Sequence, residues 1–179
     1  EWWSQAHTRE DGGSNWSNVV VDGITPSPVF SMSALEAAHQ LHALKKDGRG
    51  LPLGGTLDTL ICLAGSATEQ VAKRIKGTID KGIYPGSFQD APSVPSFNIV
   101  ALKNYGGNGL GALQWGMFDS GLKSTEYGPQ YIESLANTVA PTMIDPGNKD
   151  IIMQADTIFT YGASDMRNFV WSAGNGTSV

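Results

Sequence analysis

The chain has 179 residues, with 12 Lys and Arg against 17 Asp and Glu, a formal net charge of −5. Hydrophobic residues make up 40% and charged residues 16%, which suits one compact core and argues against disorder. Without a cluster of Lys and Arg such a chain is a poor nucleic-acid binder, and its single cysteine excludes both a disulfide framework and a multi-cysteine zinc module.

Residues 1–30 read as irregular, with the turn-forming Gly12-Gly13-Ser14-Asn15, a short β-like run at Val19, Val20 and Val21, and the Pro26 and Pro28 turn. The first residues have neither the basic nor the apolar region of a signal peptide, and the chain does not open on methionine. Ser33 and Glu36 have the spacing of a capping box, and Ala34, Ala37, Ala38, Leu41 and Leu44 continue as an apolar stripe at helical spacing. Lys45 and Lys46 suit the negative end of that helix dipole, and Gly48 is expected to end the helix.

After a Gly/Pro turn over 49–55, residues 59–63 predict a short strand buried on both faces, with Cys62 a small buried hydrophobe inside it. Ser66 and Glu69 predict a second capped helix with Ala67, Val71, Ala72 and Ile75 inward, stopped by Gly77. Residues 81–95 form a long Gly/Pro-rich connection of the kind used for interaction. Strands are expected at 97–102 and 113–118, paired as a long-looped hairpin. Residues 130–139 suit neither helix nor strand decisively. Over 150–161, Ile151, Met153, Ala155, Thr157, Phe159 and Tyr161 alternate with polar residues, the period of a half-buried strand. The tail, 172–179, is small and polar and is expected to fray. No stretch approaches the ~18 apolar residues of a membrane span.

Candidate chemistry is sparse. Gly107-x-Gly109-x-x-Ala112 matches a relaxed dinucleotide fingerprint, but the strand-like residues after it offer no helix N-terminus for a pyrophosphate. His39 and His42 lie three apart on the first helix, yet His7 is the only other histidine, so a solvated flank is the expected reading. Gly65-Ser66 lacks the nucleophile elbow, and Ser66 is already explained as a cap. Asp145, Asp150 and Asp156 show no acid/base spacing. Asn15-Trp16-Ser17 and Asn175-Gly176-Thr177 match the glycosylation sequon without a secretory context. The five tryptophans are scattered, as buried or interface anchors are. No catalytic, metal or cofactor-binding residue is assigned, and residue chemistry points to a non-catalytic, interaction-rich α+β domain.

The order of segments is more informative than any motif. His7-Thr8, Gly12-Gly13 and Ser14-Asn15 precede Ser33-Ala34-Leu35-Glu36-Ala37-Ala38. Then come Asp47-Gly48-Arg49-Gly50-Leu51-Pro52-Leu53, Thr59-Leu60-Ile61-Cys62 and Thr68-Glu69-Gln70-Val71-Ala72-Lys73-Arg74-Ile75. Trp115-Gly116-Met117-Phe118-Asp119 and Phe159-Thr160-Tyr161-Gly162-Ala163 follow, with Arg167 beyond them. This succession resembles the Mu-like and related major capsid proteins of tailed bacteriophages over nearly the whole chain.

The resemblance implies an α+β Hong Kong ninety-seven-like capsid fold, with an axial domain and part of a peripheral domain. Residues 1–30 would lead in from the peripheral domain, 31–147 would form the axial domain with its sheet flanked by two helices, and 148–179 would hold the peripheral return strand and tail. Only six residues precede His7, so the chain would be the C-terminal portion of a subunit whose arm, extended loop and spine helix lie earlier. The implied function is self-assembly, through pentamers and hexamers, into an icosahedral virion shell around double-stranded DNA, formed in the host cytoplasm. Decoration or portal proteins are implied partners; DNA contact would be weak and non-specific, with no membrane and no cofactor. Lys81, Tyr84 and Phe88 are the candidate contacts at the capsomer centre. Two alternatives remain open: an encapsulin-like compartment enclosing a cargo enzyme, and a small oxidoreductase using the Gly107 loop.

Overall fold

A computed structural model describes residues 17–47, 50–81, 94–103, 110–122, 129–139, 143–144, 151–152, 155–163 and 166–176, with backbone alone over 129–163. A small antiparallel pair, β1 (Val21–Asp22) and β2 (Thr25–Pro26), leads into α1 (Met32–Ala43). Next come β3 (Thr59–Leu63), α2 (Ala67–Lys81), β4 (Asn98–Leu102) and β5 (Trp115–Phe118). The remaining strands are β6 (Pro129–Val139), β7 (Met143–Ile144), β8 (Ile151–Ile152), β9 (Ala155–Ala163) and β10 (Phe169–Ser172). The chain is a mixed α+β protein, as its residue patterns predict.

Four strands form one sheet in the order β10-β5-β3-β4. β3 runs parallel to β4 and antiparallel to β5, and β10 lies antiparallel to β5. The expected β4–β5 hairpin is therefore not formed: both strands pair with β3, from opposite sides. The reason lies in α2, which supplies the crossover that a parallel β3–β4 pair requires. Its Lys76 Nζ and Asp80 Oδ1 both bond Ser96 Oγ, just ahead of β4.

Register decides where the helices sit. Leu60 pairs with Ile99 and Met117, Met117 with Val170, and Cys62 with Trp115, so these side chains share one face. Leu60, Trp115, Met117 and Val170 form a single core with Ala34, Leu35 and Ala38 of α1 and Ala72 of α2. Both helices therefore cover the same face: α1 touches β1 and β10, while α2 touches β3 and β4. They do not flank the sheet from two sides. Phe30 inserts edge-on against Trp115 and Phe97, at centroid distances of 5.0 and 6.3 Å, and the Trp115 indole N–H donates to the Pro28 carbonyl at 2.9 Å.

Helix ends differ from the sequence patterns in instructive ways. The N-cap of α1 is Ser31, whose side chain accepts from the Ala34 N–H at 3.2 Å, so the helix starts two residues before the Ser33–Glu36 box. Burial of Phe30 immediately before it fixes that start. At α2, Ser66 Oγ accepts from the Glu69 N–H at 3.1 Å, but the Glu69 carboxylate returns to the Gly65 N–H rather than to Ser66. The helix also runs through Gly77, because Ile75 and Ile79 both pack on the core and outweigh the ~1 kcal/mol that a helical glycine costs. Gly48 lies outside the described residues.

Residues 130–139 belong to β6, which pairs antiparallel with β9 over a long ladder containing two register shifts. The predicted strand over 150–161 is split into β8 and β9, with β8 paired to β7. The tail does not begin at 172: Ser172 is fully buried in β10 and donates to the Pro28 carbonyl at 2.5 Å, and the Gly176 N–H reaches the Ser27 carbonyl at 3.1 Å. The outer edge of β10 is covered by residues 18–20 through Val20 N–H to Trp171 O at 2.8 Å and Trp171 N–H to Asn18 O at 2.7 Å. Segments from 1–30, 31–147 and 148–179 thus meet in one sheet and its core.

Candidate functional site

Two places carry the polar and exposed groups that could serve function. The first is interior. Asp119 follows β5 and is gripped from three directions. Its Oδ1 accepts from the Gly121 N–H at 2.8 Å and the Leu122 N–H at 3.3 Å, and its Oδ2 lies 3.2 Å from His42 Nε2. Gly55 faces this carboxylate so closely that a Cβ there would overlap Asp119 Oδ2. The His42 and Asp119 side chains are only 2% and 3% exposed, so the histidine is a buried partner and not the solvated flank that its spacing suggests.

Burial pushes the His42 pKa down, the neighbouring Lys45 ammonium adds to that, and Asp119 opposes both. His39 is lowered as well, by burial and then by His42. A neutral His42 that donates Nε2–H to Asp119 leaves Nδ1 as an unpaired buried acceptor, a smaller penalty than an unpaired buried donor on a charged ring.

Lys45 is also buried, and its ammonium donates to the Arg167 carbonyl at 3.0 Å and the Phe169 carbonyl at 2.5 Å. It thereby fastens the end of α1 to β10 rather than capping its own helix. Arg167 returns the connection by donating to the Lys46 carbonyl at 2.9 Å. Nearby, Asp58 accepts from the Ser120 N–H at 3.1 Å, the Ser120 hydroxyl and the Thr59 hydroxyl at 2.8 Å. Partial desolvation raises its pKa, but the hydrogen bonds from Ser120 and Thr59 prevail and hold it below the usual value. Ser120 is thus committed to Asp58 and is not presented to His42. Among the described residues the cluster acts as a clamp, with no nucleophile set before the histidine.

Other candidates find equally structural roles. The Cys62 thiol is buried and its pKa is pushed up to about 11, first by desolvation and then by Glu69, which makes it a poor nucleophile. Ser66 is a helix cap. Gly107 and Gly109 lie outside the described residues, but the run they begin leads into strand β5, not into a helix. Trp115 and Trp171 are buried, while Trp2, Trp3 and Trp16 lie outside the described residues, as do His7, Asp145 and Asp150. Among the described residues no group of three or more His, Cys, Asp or Glu is placed to hold a metal, and no helix is long and apolar enough to cross a membrane.

The second place is the far edge of the sheet. β4 pairs with β3 on one side and with no described strand on the other. On the face away from the helices it exposes Val100 at 41% and Leu102 at 46%, beside the partly exposed Ile61 and Leu63 of β3. Lys81, one of the three candidate contacts, is the last residue of α2 and is exposed; Tyr84 and Phe88 lie outside the described residues. Sequence patterning missed the interior clamp because its members are 77 and 122 residues apart along the chain. The only local hint was a lysine next to a helix end. Comparison with known protein families, with curated proteins and with solved structures finds no match to this chain.

Proposed function

We propose that this chain is a shell-forming structural subunit, of the major capsid type, that associates with copies of itself around a genome. The observation that carries this reading is the ordered run of segments that resembles the tailed-phage capsid proteins. Those segments fall on helices and strands as their residue patterns predict. Ser33 to Ala38 lie in α1, Thr59 to Cys62 in β3, Thr68 to Ile75 in α2, Trp115 to Phe118 in β5 and Phe159 to Ala163 in β9. A scaffold role also suits the core, where His42 with Asp119 and Lys45 with the Arg167 and Phe169 carbonyls tie distant elements together. In such a shell the net charge of −5 would repel packaged phosphate and keep DNA contacts weak.

Electron microscopy of the purified full-length protein tests the reading. Closed icosahedral particles are the expected result, and discrete small particles at every concentration overturn it. Mass spectrometry and nucleic-acid analysis of the particles then identify the content. DNA supports the virion reading, whereas a co-packaged enzyme would replace it with a cargo compartment. Tight, salt-sensitive DNA binding by the free subunit would contradict the weak-contact expectation.

A further inference from the structure

The Asn175-Gly176 pair just beyond β10 has a chemistry that no role assigned so far uses. An asparagine followed by glycine is the pair most prone to react with its own backbone, because glycine sets no β-carbon in the path of the side-chain carbonyl. Asn175 is exposed, while the residues on either side of it are held. Before it, the Gly174 N–H donates to Ser172 Oγ at 3.1 Å, and a Cβ on Gly174 would overlap the Leu113 carbonyl oxygen. Ser172 Oγ in turn donates to the Pro28 carbonyl at 2.5 Å.

After it, the Gly176 N–H donates to the Ser27 carbonyl at 3.1 Å, and Gly176 stands in the left-handed region at φ 70°, beside Thr25. Ser27 is itself fixed, fully buried with its N–H donating to the Val20 carbonyl at 2.9 Å. Residues 172–176 are therefore strapped to residues 25–28 on both sides of an exposed asparagine.

We propose that Asn175 is a self-modification site that deamidates through the Gly176 nitrogen, and that the Ser27 carbonyl holds this reaction off in the folded chain. In the reaction the Gly176 amide gives up its proton, and its nitrogen attacks the Asn175 side-chain carbon. The new C–N bond closes a succinimide ring, the bond from that carbon to Nδ2 breaks, and ammonia leaves carrying the proton. Water then opens the ring at either carbonyl, giving an aspartyl or an isoaspartyl linkage with no change of oxidation state.

A backbone N–H engaged by a fixed carbonyl has to break that bond before its nitrogen can attack, so reaction follows local release of 172–176. The isoaspartyl product routes the main chain through the former side chain and adds a carboxylate to a chain of net charge −5. The lengthened backbone no longer returns the Gly176 N–H to Ser27 in its original geometry. Each such event opens the strap irreversibly.

The test incubates the full-length chain at mildly alkaline pH, folded and in denaturing urea, and maps peptides by mass spectrometry with enzymatic isoaspartate labelling. The second such pair, Asn108-Gly109, serves as a clock in the same digest. In denaturing urea Asn175 is expected to react at a rate similar to that of Asn108. In the folded chain it should react at least about 10-fold more slowly, the factor of a local opening that costs about 1.4 kcal/mol. Ser172→Ala removes the link between Pro28 and Gly174 and should restore much of the lost rate, with a thermal melt showing that the fold is retained. On the wild type, sub-denaturing urea should barely change the folded-state rate, because releasing a short segment exposes little surface. Asn175→Gln should abolish the label on its own peptide and leave Asn108 unaffected. Equal rates in the folded and unfolded wild type, no reaction at Asn175 in urea, or a folded Ser172→Ala chain that reacts no faster overturns the proposal. So does a folded-state rate that climbs with urea as steeply as global unfolding, since protection would then belong to the whole fold and not to Ser27.

Discussion

The β10 edge and the β4 edge of the same sheet are finished by opposite means. At β10, residues 18–20 satisfy the strand's outer hydrogen bonds, Lys45 holds the Arg167 and Phe169 carbonyls, and all four strand residues are buried. At β4, every second side chain is exposed and the outer backbone groups meet no described strand. A protein that closes one edge with its own chain has the means to close the other. An edge that no described strand covers is the kind of surface that templates pairing with a further extended segment.

Breaking the closed side should unfold the chain, and altering the open side should not. The largest loss is expected from Trp115→Ala, which empties the centre of the covered face and removes the bond to Pro28; about 3–5 kcal/mol should disappear in chemical denaturation. Lys45→Met keeps the bulk but leaves two β10-side carbonyls without their ammonium donor, for a loss of about 1–3 kcal/mol by the same measurement. Ser31→Ala should cost about 1 kcal/mol as a lost N-cap. Ser33→Ala should stay within about 0.5 kcal/mol, which separates the observed cap from the one its sequence spacing suggests.

The pH dependence also belongs to the closed side. His42 has a native pKa below its ordinary 6.5, so between the two values the unfolded chain binds more protons than the folded one. Stability should therefore be full above pH 6.5, fall as the pH drops through that value, and level off once the native His42 titrates. His42→Gln should flatten that slope without abolishing it, because His39 is shifted in the same direction. Melting midpoints measured across this range check it. The smallest effect on stability is expected from Leu102→Lys, within about 0.5 kcal/mol in the same denaturation measurement, because Leu102 is 46% exposed.

Much of the local structure was legible in the residues. The apolar stripes of α1 and α2, the Ser66 cap, and strands β3, β4 and β5 all follow from period, capping chemistry and β-branched content. β10 was not legible, because Phe169-Val170-Trp171 is too short a run to show a period and its partner, β5, lies about fifty residues earlier. His42 looked like a surface residue for a similar reason. Its burial is created by Asp119 and by the close approach of Gly55, neither of which is near it in sequence.

By itself, then, the sequence determined the α+β class, the helices and most strands, and the low charge that leaves so little polar surface. Those properties depend on neighbours within a few residues, where period and capping act. Only the tertiary structure decided that both helices share one face, that β4 and β5 are separated by β3, and that Lys45 and Asp119 are buried against distant segments. Such features arise when segments distant in the chain are brought together, and register, burial and surface charge take their meaning only from that meeting.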